Sequence, residues 1–320
     1  MQKLVEVKRR MRTIEEIHDV ARTLATVASA KLSRTRRQAA GMRLYAGRMR
    51  EVLERQQAYL EAIGIPLVYA SPLFVPHEPV ERVALLHLSG DRGMCGNYNV
   101  AVNRRGLEFV EQQKDAGRDV VLVCRGAKGE RYLTRRTDCP VLLAERWPRA
   151  GVTEECVERL HDLVLGLFLE GEVDEVWCSY TRFYTPIRRV PTLVRVLPIE
   201  PERVATGDWT VASLTPGSRP ERWAYEPSFT AVVPELVDMF IRIHVEDLLL
   251  ESFASEHGAR MITMEEATER ADKRLHECRV LHNRLRREFI TTDLLGVLFA
   301  SRLREEPEAA RERPRIEVRS

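Results

Sequence analysis

The chain has 320 residues, of which 44% are apolar and 31% are charged, a composition typical of a soluble folded protein with room for two domains. No apolar run approaches the ~18–20 residues of a membrane-spanning helix, and the first residues have neither the apolar core nor the cleavage site of a secretion signal. The six cysteines show no CxxC spacing, so we expect buried thiols in a reducing compartment rather than disulfides or a metal centre.

The first helical stretch of the chain is basic. Residues 1–55 contain fourteen Lys or Arg and six Asp or Glu, although the net charge of the whole chain is only +2. A basic helix suits either nucleic acid or an acidic protein surface. Interleaved aromatic residues and a recognisable nucleic-acid module are both missing, so an acidic protein partner is favoured.

Residues 1–65 also carry the spacing of a coiled coil. They contain no proline, and apolar residues fill fifteen of the eighteen a and d positions between residues 4 and 63. His18, Thr35 and Gln56 are the exceptions. A seam sustained over more than eight heptads predicts an N-terminal coiled-coil helix over 1–65.

The middle of the chain, residues 66–230, has a different periodicity. Short apolar runs predict strands at 83–88, 120–124, 175–180 and 194–199, and helical patterns lie near 100–114, 128–134 and 153–170. Strands that alternate with helices predict an α/β domain. A proline-rich segment, 201–230, connects this domain to the last part of the chain.

A glycine-rich stretch, residues 89–99, lies between the first of these strands and the next helix. We call it the glycine loop. It occupies the place of a dinucleotide-binding loop, but Gly90, Gly93 and Gly96 have the spacing GxxGxxG rather than GxGxxG. A tight structural turn is therefore favoured, and a nucleotide-binding enzyme with helical arms stays open as the alternative.

The C-terminal region predicts a second long helix, over 231–305. The seventy-two residues between Pro234 and Pro307 contain no proline. One helix of that length would measure about 108 Å, beyond the roughly 50 Å diameter of a compact globule of this size. Between 250 and 299, ten of fifteen seam positions are apolar, so we expect this helix to pair back along the first. The polar tail, 306–320, is expected to be disordered.

No catalytic constellation emerges from the sequence. The eight histidines are scattered, and five of them fall on the predicted long helices. Cys95 beside Arg92 is a candidate for a thiol of lowered pKa, but no histidine is close to it in sequence. We therefore predict no catalytic, cofactor-binding or metal-binding residues. A plain helical bundle, a coiled-coil homodimer and a coiled-coil nucleic-acid or scaffold protein remain alternatives.

Five blocks of the sequence resemble the gamma subunit of F-type ATP synthases. They occur in the family's order and span residues 1 to about 305: KRRMRT at 8–13, VASAKL at 27–32, DRGMCGNYN at 91–99, YEP at 225–227, and ASEHGARM at 254–261 followed by Met264, Ala267 and Thr268. The resemblance implies a long antiparallel coiled coil of N- and C-terminal helices with an inserted Rossmann-like α/β domain. Periodicity predicts the same arrangement independently.

The resemblance also implies a function. In the family, the coiled coil is the central rotor shaft and stands in the bore of a hexamer of alternating alpha and beta subunits. The lower part and the α/β domain bind the epsilon subunit and the c-ring of the membrane sector. Proton or sodium flow turns the shaft, and the gamma subunit itself has no catalytic residue, cofactor, membrane span or nucleic-acid partner. Such a subunit is peripheral, on the cytoplasmic face of the bacterial plasma membrane.

The resemblance implies two groups of residues that contact partner subunits. Basic residues of the first helix are candidates for contact with acidic loops of the beta subunits, and two positions of the last helix match family positions that meet the hexamer. These rotor-stator candidates are Lys8, Arg9, Arg10, Arg22, Lys31, Arg286 and Thr291. The resemblance also implies a foot loop directed toward epsilon and the c-ring, with Asp91, Arg92, Gly93, Cys95 and Gly96.

The chain departs from the family pattern at several positions. Asn97 replaces a usual glycine, residues 24–26 replace a methionine-rich stretch, and Arg287, Glu288 and Phe289 replace a glutamine and two small residues. These departures suggest a divergent or second-copy gamma subunit. An alternative ion-translocating F-type ATPase that works mainly in hydrolysis is the corresponding functional alternative.

Overall fold

The computed structural model describes residues 2–62, 71–199 and 229–309. Its helices are α1 (Gln2–Ala62), α2 (Tyr98–Asp115), α3 (Ala127–Thr134), α4 (Glu154–Leu169) and α5 (Phe229–Ala309). Its strands are β1 (Arg82–Leu88), β2 (Asp119–Arg125), β3 (Val141–Glu145), β4 (Glu175–Phe183) and β5 (Arg189–Leu197). Two compact units contain these elements: the α/β unit, Leu24–Met264, and the terminal unit, Met1–Thr23 with Glu265–Ser320.

The α/β unit is built on one five-stranded sheet with the order β3-β2-β1-β4-β5. β1 pairs in parallel with β2 and β4, β2 pairs in parallel with β3, and β5 is antiparallel to β4. Parallel strands joined through helices are the Rossmann-like arrangement that the sequence predicted. With the two long helices, this sheet confirms the predicted fold class.

The two faces of the sheet bury separate apolar clusters because successive side chains of a strand point to opposite sides. One cluster lies under α2 and α3, and the other lies under α4 and the first part of α5. The first contains Val83, Leu85, Phe109, Val110, Leu122 and Leu133; the second contains Ala84, Leu86, Leu160, Val164, Phe168, Val237, Ile241 and Leu248. The sheet is therefore covered on both faces, as continuous apolar runs in β1 and β2 require.

Some boundaries differ from the predicted ones. β3 was not predicted: it alternates half-buried and exposed residues and so lacks the continuous apolar run of β1. α5 runs from Phe229 to Ala309, slightly beyond the predicted 231–305, and contains both Pro234 and Pro307. Each proline lacks the backbone N–H, so neither residue donates a hydrogen bond within the helix. The YEP block and most of the connecting segment, 201–230, lie outside the described residues, as does the tail beyond 309.

α1 and α5 run antiparallel to each other within the α/β unit. The Lys31 ammonium lies 5.7 Å from the centre of the Phe253 ring, and Gln38 Nε2 donates to Glu246 Oε1 at 3.2 Å. From Lys31 to Gln38 the residue number rises on α1, while the number of the contacted residue on α5 falls from 253 to 246, so the two helices run in opposite directions. Ala25, Ala28 and Leu32 are buried on this part of α1. The two alanines have small side chains and so allow the helices to approach closely.

The terminal unit shows the same antiparallel pairing by itself. His18 Nε2 lies 3.3 Å from Asp272 Oδ1, and Arg279 Nη2 lies 3.5 Å from Glu15 Oε1. Four small or apolar side chains are buried in this unit: Ala21, Ala271, Leu275 and Cys278. Among residues 2–62, 71–199 and 229–309, no helix combines the length and apolarity needed to cross a bilayer.

Truncating Leu86 tests the core of the α/β unit. Leu86 is fully buried on β1, so Leu86→Ala should lower the free energy of unfolding by about 3 kcal/mol through lost burial and a cavity. Urea unfolding followed by tryptophan fluorescence measures the change. Leu142→Ala on β3, where the side chain is 45% exposed, is the matched control and should change stability by less than about 1 kcal/mol. Equal losses in the two variants would contradict the assigned core.

Candidate functional site

The glycine loop is closed by its own hydrogen bonds. Gly90 N donates to Asn99 Oδ1 at 2.8 Å, and Asn99 Nδ2 donates to Arg92 O at 3.0 Å and to Cys95 Sγ at 3.1 Å. Met94 and Gly96 both have positive φ, 60° and 55°, a conformation that side chains other than that of glycine rarely adopt. Asn99, at the start of α2, therefore fixes the loop as one tight turn.

Asp91 ties the glycine loop to the ends of two other strands. Its Oδ1 accepts from Ala127 N after β2, and its Oδ2 accepts from Trp147 N after β3, both at 2.9 Å. Gly90 O accepts from Lys128 N at 3.1 Å. These amides are the donors that a nucleotide phosphate would use at a helix N-terminus, and the protein itself already uses them. The geometry thus favours a structural turn over a phosphate cradle.

The loop packs against residues 251–260 of α5, which we call the buried segment. Every residue of this segment is buried, although it includes glutamate, histidine and arginine. The sequence predicted a narrow and partly polar seam here; the structure instead covers the helix on all sides. The surrounding contacts are the Tyr98 hydroxyl to Ser252 Oγ at 2.8 Å, Ser255 Oγ to Thr181 O at 2.9 Å, and the Trp147 ring to the Phe253 ring at 5.3 Å.

An ion pair lies at the centre of this contact. Arg260 Nη2 donates to Glu256 Oε1 at 2.6 Å, and Arg260 Nε and Nη2 each lie 3.4 Å from Gly93 O of the glycine loop. Burial raises the pKa of Glu256, and the charge of Arg260 opposes that rise. A Cβ on Gly90 would lie 2.9 Å from Asn99 Oδ1 and 3.0 Å from Glu256 Cδ, so a larger residue there would have to displace these side chains.

His257 accepts a hydrogen bond from the same arginine. Arg260 Nη1 lies 3.1 Å from His257 Nδ1, which can accept only when the imidazole is neutral. Burial, together with the positive charges of Arg260 and Lys31, lowers the pKa of His257 to about 3. The Phe253 ring packs edge-on against the imidazole at 4.3 Å. His257 is therefore a neutral structural group at ordinary pH.

Cys95 does not have the environment of a reactive thiol. Burial raises the pKa of Cys95, and the nearby Arg260 charge only partly opposes this effect. The thiol lies against Tyr98 and Ala259 in a small buried cluster. The sequence made Cys95 a candidate for a thiol of lowered pKa, and this prediction is wrong. The loss of hydration on burial raises the pKa by more than the neighbouring cation lowers it.

The structure separates the predicted site residues into two groups. Lys31 lies on the α/β unit beside the buried segment, as do the five glycine-loop residues. The others belong to the terminal unit and are exposed there: Lys8, Arg9, Arg10, Arg22, Arg286 and Thr291. Thr291 Oγ1 donates to Arg287 O of its own helix at 3.0 Å. Contact of either group with a partner subunit stays a prediction.

Sequence reasoning did not select Glu256, Arg260, Ser252 and Trp147 as site residues. Glu256 and Arg260 stand within the block ASEHGARM, so the signal for them was present. Their contact with the block DRGMCGNYN joins residues more than 150 positions apart, which no local spacing indicates. Trp147 gave no sequence signal, since its role depends on where β3 ends.

Removing the Asp91 carboxylate tests the anchoring of the loop. Asp91→Ala leaves Ala127 N and Trp147 N without their acceptor, so the free energy of unfolding should fall by about 3 kcal/mol. The neighbouring exposed residue provides the control: Arg92→Ala should shift stability by no more than about 0.5 kcal/mol. Urea midpoints measure both. An Asp91→Ala protein as stable as the wild type would show that the loop is held by other contacts.

The buried His257 predicts a pH dependence of stability. The ordinary pKa of 6.5 applies to the unfolded chain, whereas the folded protein binds this proton only near pH 3. Stability therefore falls as the pH drops below 6.5, by about 2 kcal/mol from this group between about pH 7.5 and pH 5. His257→Gln should lose that much less on the same change of pH in urea unfolding. The exposed His276→Gln is the control, and an unchanged pH dependence in His257→Gln would contradict the assignment.

Comparison with known sequences identifies relatives along almost the whole chain. The sequence model of the family described as ATP synthase matches residues 3–300. The ATP synthase gamma chain of Moorella thermoacetica is 32% identical over 297 residues, which cover 92% of this chain and 96% of that one. The ATP synthase gamma chain of Geobacter sp. strain M21 is 29% identical over 305 residues, with 94% and 98% covered.

Two solved structures share the fold. A chain of the Euglena gracilis mitochondrial ATP synthase, in a structure of its OSCP, F1 and c-ring, has a TM-score of 0.58 and 13% identity and covers 100% of this chain and 99% of its own. A chain from the central stalk and c-ring of the Tetrahymena thermophila mitochondrial ATP synthase has a TM-score of 0.53 and 19% identity, with 78% and 99% covered. The family match, the relatives and the shared fold together confirm the resemblance seen in the sequence: this chain belongs to the ATP synthase gamma chain family.

Proposed function

We propose that this chain turns as the central shaft inside a hexamer of alternating alpha and beta subunits and meets the epsilon subunit and the c-ring outside that hexamer. As a member of the gamma chain family, it is a non-catalytic subunit of an ATP synthase, and the role of central rotor shaft follows from that membership. The single observation in this structure that supports the proposed position is an exposed apolar stretch near the end of α5.

That stretch belongs to the terminal unit. Its large apolar side chains are between 38% and 64% exposed: Phe289, Ile290, Leu294, Leu295, Val297 and Phe299. Exposed apolar residues in such number mark a surface that another protein covers. In this proposal, an apolar surface lining the bore of the hexamer contacts these side chains. Apolar contacts have no fixed direction, so they can be exchanged as the shaft turns.

The charged departures in the same region are accommodated by the helix itself. Arg284 Nε donates to Glu288 Oε1 at 3.0 Å on the exposed surface, so this carboxylate already has a cationic partner one turn away. The negative charge of Glu288 is therefore paired within α5 itself and needs no cationic partner from the proposed hexamer.

In this proposal the basic residues form weak, transient ion pairs with the hexamer and do not hold the shaft in one orientation. Lys8, Arg9, Arg10 and Arg286 are exposed, and each exposed ion pair with an acidic loop of a beta subunit is worth only ~0–1 kcal/mol. Interactions of this strength break and reform as the shaft turns. The proposal includes Arg22, Lys31 and Thr291 as further contacts with the hexamer.

The α/β unit is proposed to meet epsilon and the c-ring on the cytoplasmic face of a bacterial plasma membrane. Of the proposed loop contacts, Asp91 and Cys95 are engaged inside the unit, whereas the Arg92 side chain is exposed. Arg92 is accordingly the loop residue best placed for a contact with a partner. Proton-driven rotation is proposed as the normal mode.

A proline in the terminal unit tests the mechanical role. Leu275 is buried between the helices, and Leu275→Pro should break α5 there at a cost of about 3 kcal/mol or more. In membrane vesicles with the assembled complex, ion-driven ATP synthesis should fall at least about tenfold, because torque no longer passes the break. Leu275→Ala keeps the helix and is the control.

The loss of ATP synthesis in the Leu275→Pro variant is interpreted only if the complex still assembles. The variant chain should still co-purify with alpha, beta and epsilon subunits, since its α/β unit remains folded. Coupled synthesis that survives in assembled Leu275→Pro complexes would contradict the role of this part of α5 as a shaft. A native complex purified without this chain would contradict the proposed function as a whole.

A further inference from the structure

A cationic cavity lies at the carboxyl ends of β1, β2 and β3 in the α/β unit. It has a volume of about 340 Å³, at the lower end of the range for ligand pockets. Five basic side chains line it, together with Trp147: Arg92, Lys128, Arg131, Arg146 and Arg149. The carboxyl ends of parallel strands are the edge at which α/β sheets usually bind ligands.

Within the described residues, no ion pair balances the positive charge of this cavity. Among the ion pairs of the described residues, none includes any of the five basic side chains. Asp91 is the only acidic residue of the lining, and both of its oxygens already accept backbone N–H groups. Five cations against one engaged carboxylate repel one another, so an anion that enters the cavity relieves that repulsion.

The walls of the cavity are fixed before any ligand arrives. Trp147 Nε1 donates to Ser89 O at 2.6 Å, and Arg125 Nη1 donates to Arg146 O at 3.0 Å. Arg125 is itself held by Glu145 at 2.7 Å. These contacts hold the backbone from which the exposed Arg146 side chain extends, so binding would have to order side chains but not this backbone.

From this geometry we infer that the cavity binds a phosphate-bearing anion with at least two negative charges. Four of the five cations are arginines, whose planar guanidinium groups match phosphate oxygens in pairs. The positive end of α3 adds to the same field, since Ala127 and Lys128 line the cavity. The anion would bind the cationic side chains rather than the backbone amides at these strand ends: Ala127 N and Trp147 N already donate to Asp91, and Gly90 N donates to Asn99. It does not depend on the proposed rotor function.

Titration of the full-length chain with inorganic pyrophosphate tests the inference. Calorimetry at about 50 mM salt should show saturable binding that weakens as salt is added. The double variant Arg131→Gln, Arg149→Gln should weaken this binding at least about tenfold, because charge-assisted hydrogen bonds are lost. The matched control is Arg104→Gln, Lys114→Gln on α2, which removes the same charge outside the cavity and should change affinity less than about twofold.

A second arm distinguishes the two sources of such an anion. Binding to phosphatidylglycerol vesicles, lost in the cavity variant but kept in the control, assigns the site to a lipid headgroup; binding to free pyrophosphate alone assigns it to a soluble phosphate compound. Either result supports the site. Failure of both ligands to bind, equal losses in the two double variants, or a preference for polyglutamate over both phosphate ligands would overturn it.

Discussion

A buried ion pair on α5 determines how the glycine loop packs in the α/β unit. Glu256 and Arg260 lie on α5 with almost no access to water, and a charge in that position is tolerated only with a partner and further hydrogen bonds. The pair is local in sequence, one helical turn apart. The His257 ring, in the same turn of α5, accepts a further hydrogen bond from Arg260. The remaining contact comes from a distant part of the chain, Gly93 O of the glycine loop. The glycine loop must therefore sit directly against α5.

The sheet makes that position possible. β1 ends at Leu88, and the chain turns at once into the glycine loop, whose Asp91 is held by amides that follow β2 and β3. Three strand ends thus fix one loop, and the loop covers one side of α5. The β4–β5 hairpin covers another side, where Ser255 Oγ donates to Thr181 O. The same crowding of strand ends produces the cationic cavity on the outer side of the loop.

Much of this architecture was predictable from residue patterns. β1 and β2 carry continuous apolar runs, and the α1 seam repeats every three or four residues, so local sequence specified them. β3 was missed because it is an edge strand whose residues alternate between half-buried and exposed. α5 extends slightly beyond the predicted 231–305 at both ends, because the prolines at 234 and 307 do not end it. The candidate site was only half predictable. The sequence blocks that contain the glycine loop and the buried segment could each be recognised from their residues. The contact between them could not, because it depends on the order of the strands in the sheet. The environment of Cys95 depends on burial, which sequence proximity to Arg92 does not reveal.

The full enclosure of residues 251–260 has a mechanical consequence. A helix held on one stripe can roll about its own axis by exchanging side chains, whereas here hydrogen bonds and ring contacts reach α5 from the loop, the hairpin, α1 and the turn after β3. Rolling would break the contact of Arg260 with Gly93 O and the hydrogen bond from Ser255 Oγ to Thr181 O. These contacts oppose rotation of α5 relative to the sheet, so the two are expected to turn together.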